Sequence, residues 1–315
     1  MNKKLKLIFR IGISLIFGGY LAYKVDWSLL ATALKEVDVF LFLGSTLLIV
    51  PSVLTIACKY YLLIRRTAIS HSVPSLARIN LISRFYALFL PSAVGREAVR
   101  WYKVTGNRRG RAFFLAAIAF ERLTFLLILL LFGLIPLYFH SLHSEIGALR
   151  GQILPAILAS LLLVSIGIAY YLVPHVNSFL NSIIDRTFAS RWKHLDISSV
   201  LSNVAVGKPR MSAYAYVLGL GVFWQIVFVG RVFVLFKSIS VPLGFLDVAW
   251  MASLVLLLQT LPISFSGIGV REGAYAYLFT VFDLPPEKGV LIGILFFSQM
   301  LLVSGIGGFL ELTER

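Results

Sequence analysis

The chain has 315 residues, of which 59% are hydrophobic and only 14% charged, whereas an ordinary soluble domain carries about 25% charged residues. That composition excludes a water-soluble globular enzyme and fits a polytopic membrane protein, with length for roughly eight spans of about 20 residues and no room for a separate soluble domain. The net charge of +15 comes from Lys and Arg gathered between apolar runs, where they set topology beside anionic headgroups and do not signal nucleic-acid binding.

Basic residues from Met1 to Lys6 precede an apolar run to Tyr23. The layout is that of a signal peptide without a small-residue cleavage site, so it predicts an uncleaved first span with its basic end in the cytoplasm. Further apolar runs lie at about 39–58, 79–94, 112–139, 153–173, 213–236, 245–265, 273–282 and 289–310. The uninterrupted apolar stretch from Phe85 to Val94 is short and has basic residues on both sides: Lys59, Arg65, Arg66, Arg78 and Arg84 before it, and Arg96, Arg100, Lys103, Arg108, Arg109 and Arg111 after it. Two cytoplasmic flanks predict a re-entrant hairpin turning near Pro91. The polar stretch of about 174–212, with Arg186, Arg191, Lys193, Lys208 and Arg210, reads as a cytoplasmic connecting loop, and the last span returns the C-terminus to the cytoplasm. The expected fold is an all-α polytopic membrane protein of about six full spans plus two broken or re-entrant helical hairpins. Residues 1–315 are expected to form a single integral membrane domain in the cell's inner membrane.

The two halves follow one plan. Half one, about 38–139, runs span, hairpin, span; half two, about 213–310, does the same from the opposite side, which predicts an inverted repeat. Each hairpin holds a similar break. The first reads Leu90-Pro91-Ser92-Ala93-Val94-Gly95-Arg96-Glu97, and the second Leu261-Pro262-Ile263-Ser264-Phe265-Ser266-Gly267-Ile268-Gly269-Val270-Arg271-Glu272. Proline and glycine end helices, and a helix end within the bilayer needs a protein-lined cavity or ligand to satisfy its backbone groups. Pro91, Gly95, Pro262, Ser264, Ser266, Gly267 and Gly269 are therefore expected to line a cavity, with Gln259 in support.

Arg96 and Arg100 share a helical face four residues apart, and two guanidinium forks beside a helix start match a phosphate. Arg271 and Glu272 have no other charge between Asp247 and Asp283, and burying such groups costs about 2.5–3.5 kcal/mol each, which marks a functional site. Adjacent helical residues do not face each other, so these two are expected to take different partners. Glu121 and Arg122 lie about ten residues into their span, roughly 15 Å deep. In the transport reading Arg96, Arg100, Arg122 and Arg271 hold a lipid phosphate, while Glu97, Glu121 and Glu272 balance charge or carry a proton. The competing reading for each set is structural: flanking charges paired with Glu97, or buried pairs that tie helices together. Gln225 and Arg231 are weaker candidates, the latter expected to snorkel outward.

Enzymatic constellations are poor. The five histidines are scattered over predicted loops with no zinc pattern, Cys58 is the one cysteine, and Phe265-Ser266-Gly267 lacks the leading glycine of a nucleophile elbow. No phosphate-binding loop or dinucleotide fingerprint occurs. The chain is expected to be no enzyme and to need no cofactor or metal.

At these residues the chain resembles the flippase-like membrane region of lysylphosphatidylglycerol synthases and their stand-alone relatives. The resemblance is carried by LPISFSGIGVREGAYAY at Leu261 to Tyr277, by Pro91 to Arg100 and by Glu121-Arg122. It covers nearly the whole chain. It implies a multi-pass protein that moves, or helps to move, an anionic lipid such as a modified phospholipid or a polyprenyl-phosphate-linked lipid, with a separate lipid-modifying enzyme as a partner. The alternatives are a membrane-embedded enzyme acting on a lipid phosphate or sugar, with Glu97 or Glu272 as base, and a scaffold for a partner synthase. In the first break Arg96 stands where many relatives have a second glycine.

Overall fold

The computed structural model describes residues 34–65, 69–90, 93–106, 111–141, 211–260 and 267–313, with isolated helical positions within 28–32 and 155–169. The expected first span at about 8–23 and the connecting loop lie outside the described residues, as do Pro91, Pro262, Ser264 and Ser266.

The described elements are all helical: α1 (Val39–Leu47), α2 (Ile49–Ile64), α3 (Val73–Ala87), α4 (Ala93–Thr105), α5 (Arg111–Ser141), α6 (Met211–Lys237), α7 (Phe245–Thr260), α8 (Val270–Val281) and α9 (Pro286–Leu312). Asp38 starts α1 by accepting the Leu41 N–H, and Ser72 starts α3 with a proline in its first turn. Four stretches among the described residues are long and apolar enough to cross a membrane: Val39–Ile64, Phe113–Phe139, Ser212–Lys237 and Pro286–Leu312. The apolar run that suggested a span ending at Cys58 continues through Leu63 and Ile64, so Lys59 lies inside α2 and not on a flank.

Both predicted hairpins are pairs of helices. α3 and α4 pack together on either side of 88–92, and α7 and α8 pack together across 261–269. Gly95 sits where a Cβ would meet the Leu90 side chain at 2.6 Å, so the first reversal needs a residue without one. In the second, Gly267 and Gly269 take φ of +77° and +81°, the left-handed region open to glycine.

Packing links the halves crosswise. α2 lies against α6, α3 against α9, and α7 against α5, in addition to the sequential neighbours. α9 supplies small residues for close approach, the usual device inside a membrane where lipid is as apolar as leucine. A Cβ at Gly289 would meet the Tyr275 carbonyl at 2.6 Å, one at Gly293 would meet Glu272 Cγ at 2.7 Å, and Gly307 abuts the Leu81 backbone. Gln299 donates to Ser45 Oγ at 2.8 Å, and Ser45 donates to the Arg231 carbonyl at 3.1 Å, so α9, α1 and α6 are tied by buried polar contacts.

Candidate functional site

Glu97 on α4 is the hub of the charged residues. It is 9% exposed. One carboxylate oxygen accepts from Arg100 Nη1 at 2.5 Å and the other from Arg122 Nη2, while Arg96 Nε lies 3.7 Å away. Tyr60 Oη adds a 3.5 Å contact. Both terminal nitrogens of Arg100 are engaged: Nη1 also donates to Tyr60 Oη at 3.1 Å, Nη2 donates to Asn80 Oδ1 at 2.8 Å, and the guanidinium lies 5.0 Å from the Tyr60 ring. Arg100 therefore binds α2, α3 and α4 together and fixes Glu97. Arg122 and Arg96 are freer, their side chains 28% and 33% exposed.

Glu121 does not neutralise Arg96 or Arg100. It pairs with Lys59 at 2.6 Å, and the lysine is 2% exposed. A lone buried ammonium or carboxylate would be costly, and this pairing removes both charges across α2 and α5.

These groups surround a cavity of about 170 Å³ between the halves. Arg96, Glu97, Arg100, Glu121 and Arg122 reach it from half one, joined by Arg84 and Asn80 of α3. Half two contributes an aromatic wall, Trp224 stacked on Phe228 at 5.4 Å with Phe296 beyond, together with Gln259 and Arg231. Arg231 does not snorkel outward; it is 8% exposed and lies 4.1 Å from the Phe296 centroid. A second cavity of about 600 Å³ adjoins the first between α4 and α5. It shares Glu97, Arg122 and Phe125 with the polar chamber and is otherwise lined mainly by apolar side chains, among them Ala98, Leu115, Ile118 and Leu126.

Arg271 and Glu272 do not line the polar chamber. Contrary to the expectation of different partners, they pair with each other: Arg271 donates from Nη2 at 2.6 Å and from Nε at 3.1 Å to Glu272 Oε1. Glu272 Oε2 also accepts the Gly269 N–H at 2.7 Å, which satisfies a free donor at the start of α8. Arg271 is 1% exposed and stands behind Phe296 and Phe297, 5.3 and 5.6 Å from their centroids. Gln259 borders the cavity and packs under Gly267.

Sequence reasoning took Lys59 and Arg84 for flanking charge. The usable signal was position: Lys59 is followed by Tyr60-Tyr61-Leu62-Leu63-Ile64, and Arg84 by Phe85-Tyr86-Ala87-Leu88-Phe89-Leu90. A charge with apolar residues on both sides lies within a span and not at its edge. No cluster of metal-ligating side chains occurs among the described residues.

Apolar helices packed around an arginine-lined chamber with an adjoining apolar groove define a multi-pass helical membrane protein. The chain belongs to the family of the lysylphosphatidylglycerol synthase TM region, whose model matches residues 7–308. It is thus a membrane protein related to lipid modification or transport. No curated protein and no solved structure matches it.

Proposed function

We propose that the protein is a flippase-like transporter that moves a phosphate-bearing anionic lipid across the cell's inner membrane, with both termini cytoplasmic, and that it is not itself an enzyme. The observation that carries this reading is the junction of two unlike cavities. Arg96 and Arg122 offer guanidinium groups in a polar chamber, and Arg122 also borders an apolar groove large enough for a lipid chain. A lipid is the ligand whose charged head and apolar tail need those two environments side by side.

In this mechanism Arg96 and Arg122 bind the phosphate, Arg100 holds Glu97 in place, and Glu97 releases Arg122 to the ligand as negative charge arrives. Glu121 and Lys59 form a fixed wall. The halves 38–139 and 213–310 act as an inverted repeat around the chamber. In support, exchanging α2 with α6, α3 with α7, α4 with α8 and α5 with α9 turns the α3–α9 contact into the α7–α5 contact and leaves α2–α6 unchanged. Arg271, behind Phe296 here, is the phosphate ligand of the second half, reached when that ring moves as the site turns to the other side. A separate lipid-modifying enzyme would supply or consume the cargo.

The test is movement of a labelled anionic lipid between leaflets of proteoliposomes holding the purified protein. Arg122→Gln removes a charge-assisted hydrogen bond of about 1.5–3 kcal/mol, so transport at low lipid concentration should fall roughly 10- to 100-fold. Transport at the wild-type rate would reject the assignment.

A further inference from the structure

The charges around the chamber do not balance. Arg84, Arg96, Arg100, Arg122 and Arg231 line it against two carboxylates, Glu97 and Glu121. Glu121 is already claimed from behind by Lys59, and Glu97 is shared among three arginines. The side chains of Arg84 and Arg231 have no carboxylate partner and donate no hydrogen bond among the described residues, and the Nε of each is buried and unpaired. They come from opposite halves, one on α3 and one on α6, yet both face the same space. The stretches 91–92 and 261–266 contain no acidic residue. Leaving cations unpaired in a low-dielectric interior costs several kcal/mol each, so an arrangement that gathers them fits a ligand bringing the missing negative charge.

We propose that the lipid headgroup is polyanionic, a diphosphate, and not a phosphodiester or an aminoacylated phosphodiester. This inference rests on the lipid-transport reading above and specifies its cargo. A phosphodiester brings a single charge and would leave Arg84 and Arg231 unanswered. An aminoacyl ester brings a cation of its own into a chamber already rich in them. A terminal phosphate monoester carries about −1.5 to −2, and a diphosphate adds a further ionised oxygen and two bridged centres. Those centres can be shared among Arg96, Arg122, Arg84 and Arg231, all of which line the chamber. The chamber's volume of about 170 Å³ greatly exceeds the ~10–15 Å³ needed by one water.

Binding of four probes with a common diacylglycerol tail to the full-length protein in detergent tests this: diacylglycerol diphosphate, phosphatidic acid, phosphatidylglycerol and lysyl-phosphatidylglycerol. Inorganic pyrophosphate serves as the tail-free control. Affinity should fall in that lipid order, with diacylglycerol diphosphate ahead of phosphatidylglycerol by about 10-fold or more. Arg84→Gln and Arg231→Gln should each weaken diacylglycerol diphosphate binding more than phosphatidylglycerol binding and so shrink that gap. Phosphatidylglycerol or its lysyl ester binding as tightly as the diphosphate would overturn the proposal and leave lipid transport standing. If no lipid binds better to wild type than to the Arg96→Gln/Arg122→Gln double variant, both readings fall. Pyrophosphate binding as tightly as the lipid diphosphate would keep the headgroup chemistry and overturn the lipid cargo. The wild-type series decides the matter even if Arg231→Gln fails to fold.

Discussion

The same dipeptide does different work in the two hairpins. Arg271-Glu272 lies 175 residues after Arg96-Glu97, yet Glu97 is shared by Arg100 and Arg122 at the edge of a cavity, whereas Glu272 pairs with its own neighbour and caps α8. Carrying the same offset onward shows why. The position matching Arg100 holds Tyr275, and those matching Glu121 and Arg122 hold Phe296 and Phe297. Half one surrounds its Arg-Glu step with further charge and half two surrounds it with aromatic rings, on which Arg271 rests. The Arg-Glu step of the first hairpin thereby lines the chamber, whereas that of the second is packed behind Phe296 and the second hairpin reaches the chamber through Leu256 and Gln259 of α7.

The strongest way to break this contrast is to neutralise the two carboxylates separately. Glu97→Gln should destabilise the protein by about 3–5 kcal/mol, because it leaves buried Arg100 without its carboxylate and releases Arg122. Glu272→Gln should cost less, since the amide oxygen can keep one of the two contacts, to Arg271 or to the Gly269 N–H, and only one paired arginine loses its carboxylate. Thermal unfolding in detergent of both variants, side by side, checks the order. Equal losses would dissolve the distinction.

Next in size is the helix contact that holds the second hairpin shut. Gly293→Leu places a side chain against Glu272, where a Cβ alone would come within 2.7 Å, and should cost about 1–3 kcal/mol or more of stability. The comparison is sharpened by Arg271→Gln. If Arg271 acts only once Phe296 moves, this variant should slow lipid movement roughly ten-fold or more while equilibrium binding at Arg96 and Arg122 changes by less than about 3-fold. Equal loss of binding and transport would place Arg271 in the resting site. The smallest effect belongs to the Lys103–Glu311 ion pair between α4 and α9, whose side chains are 18% and 26% exposed. Lys103→Gln should change stability by about 0–1 kcal/mol, and less at high salt.

Much of the site was legible in the chain because charge inside an apolar run is conspicuous. Arg96, Glu97, Arg100, Glu121 and Arg122 were singled out, and they do converge on one cavity. The partners were not legible. Glu121 meets Lys59 across 62 residues and Arg100 meets Tyr60 across 40, and no local rule ranks such contacts above others. Arg231 was expected to reach outward, but an aromatic face at 4.1 Å holds it inside.

Composition, the spacing of apolar runs and the two Pro/Gly breaks were enough by themselves to determine a helical membrane protein with interrupted helices. Those features follow from the bilayer's thickness and from its refusal to solvate free backbone groups. Only the tertiary structure decided which of the two Arg-Glu steps faces a cavity and which arginines stand without a carboxylate. Burial and pairing are set by the crosswise packing of α3 on α9 and α7 on α5, and desolvation acts on the neighbours a charge acquires in space, not on those it has in sequence.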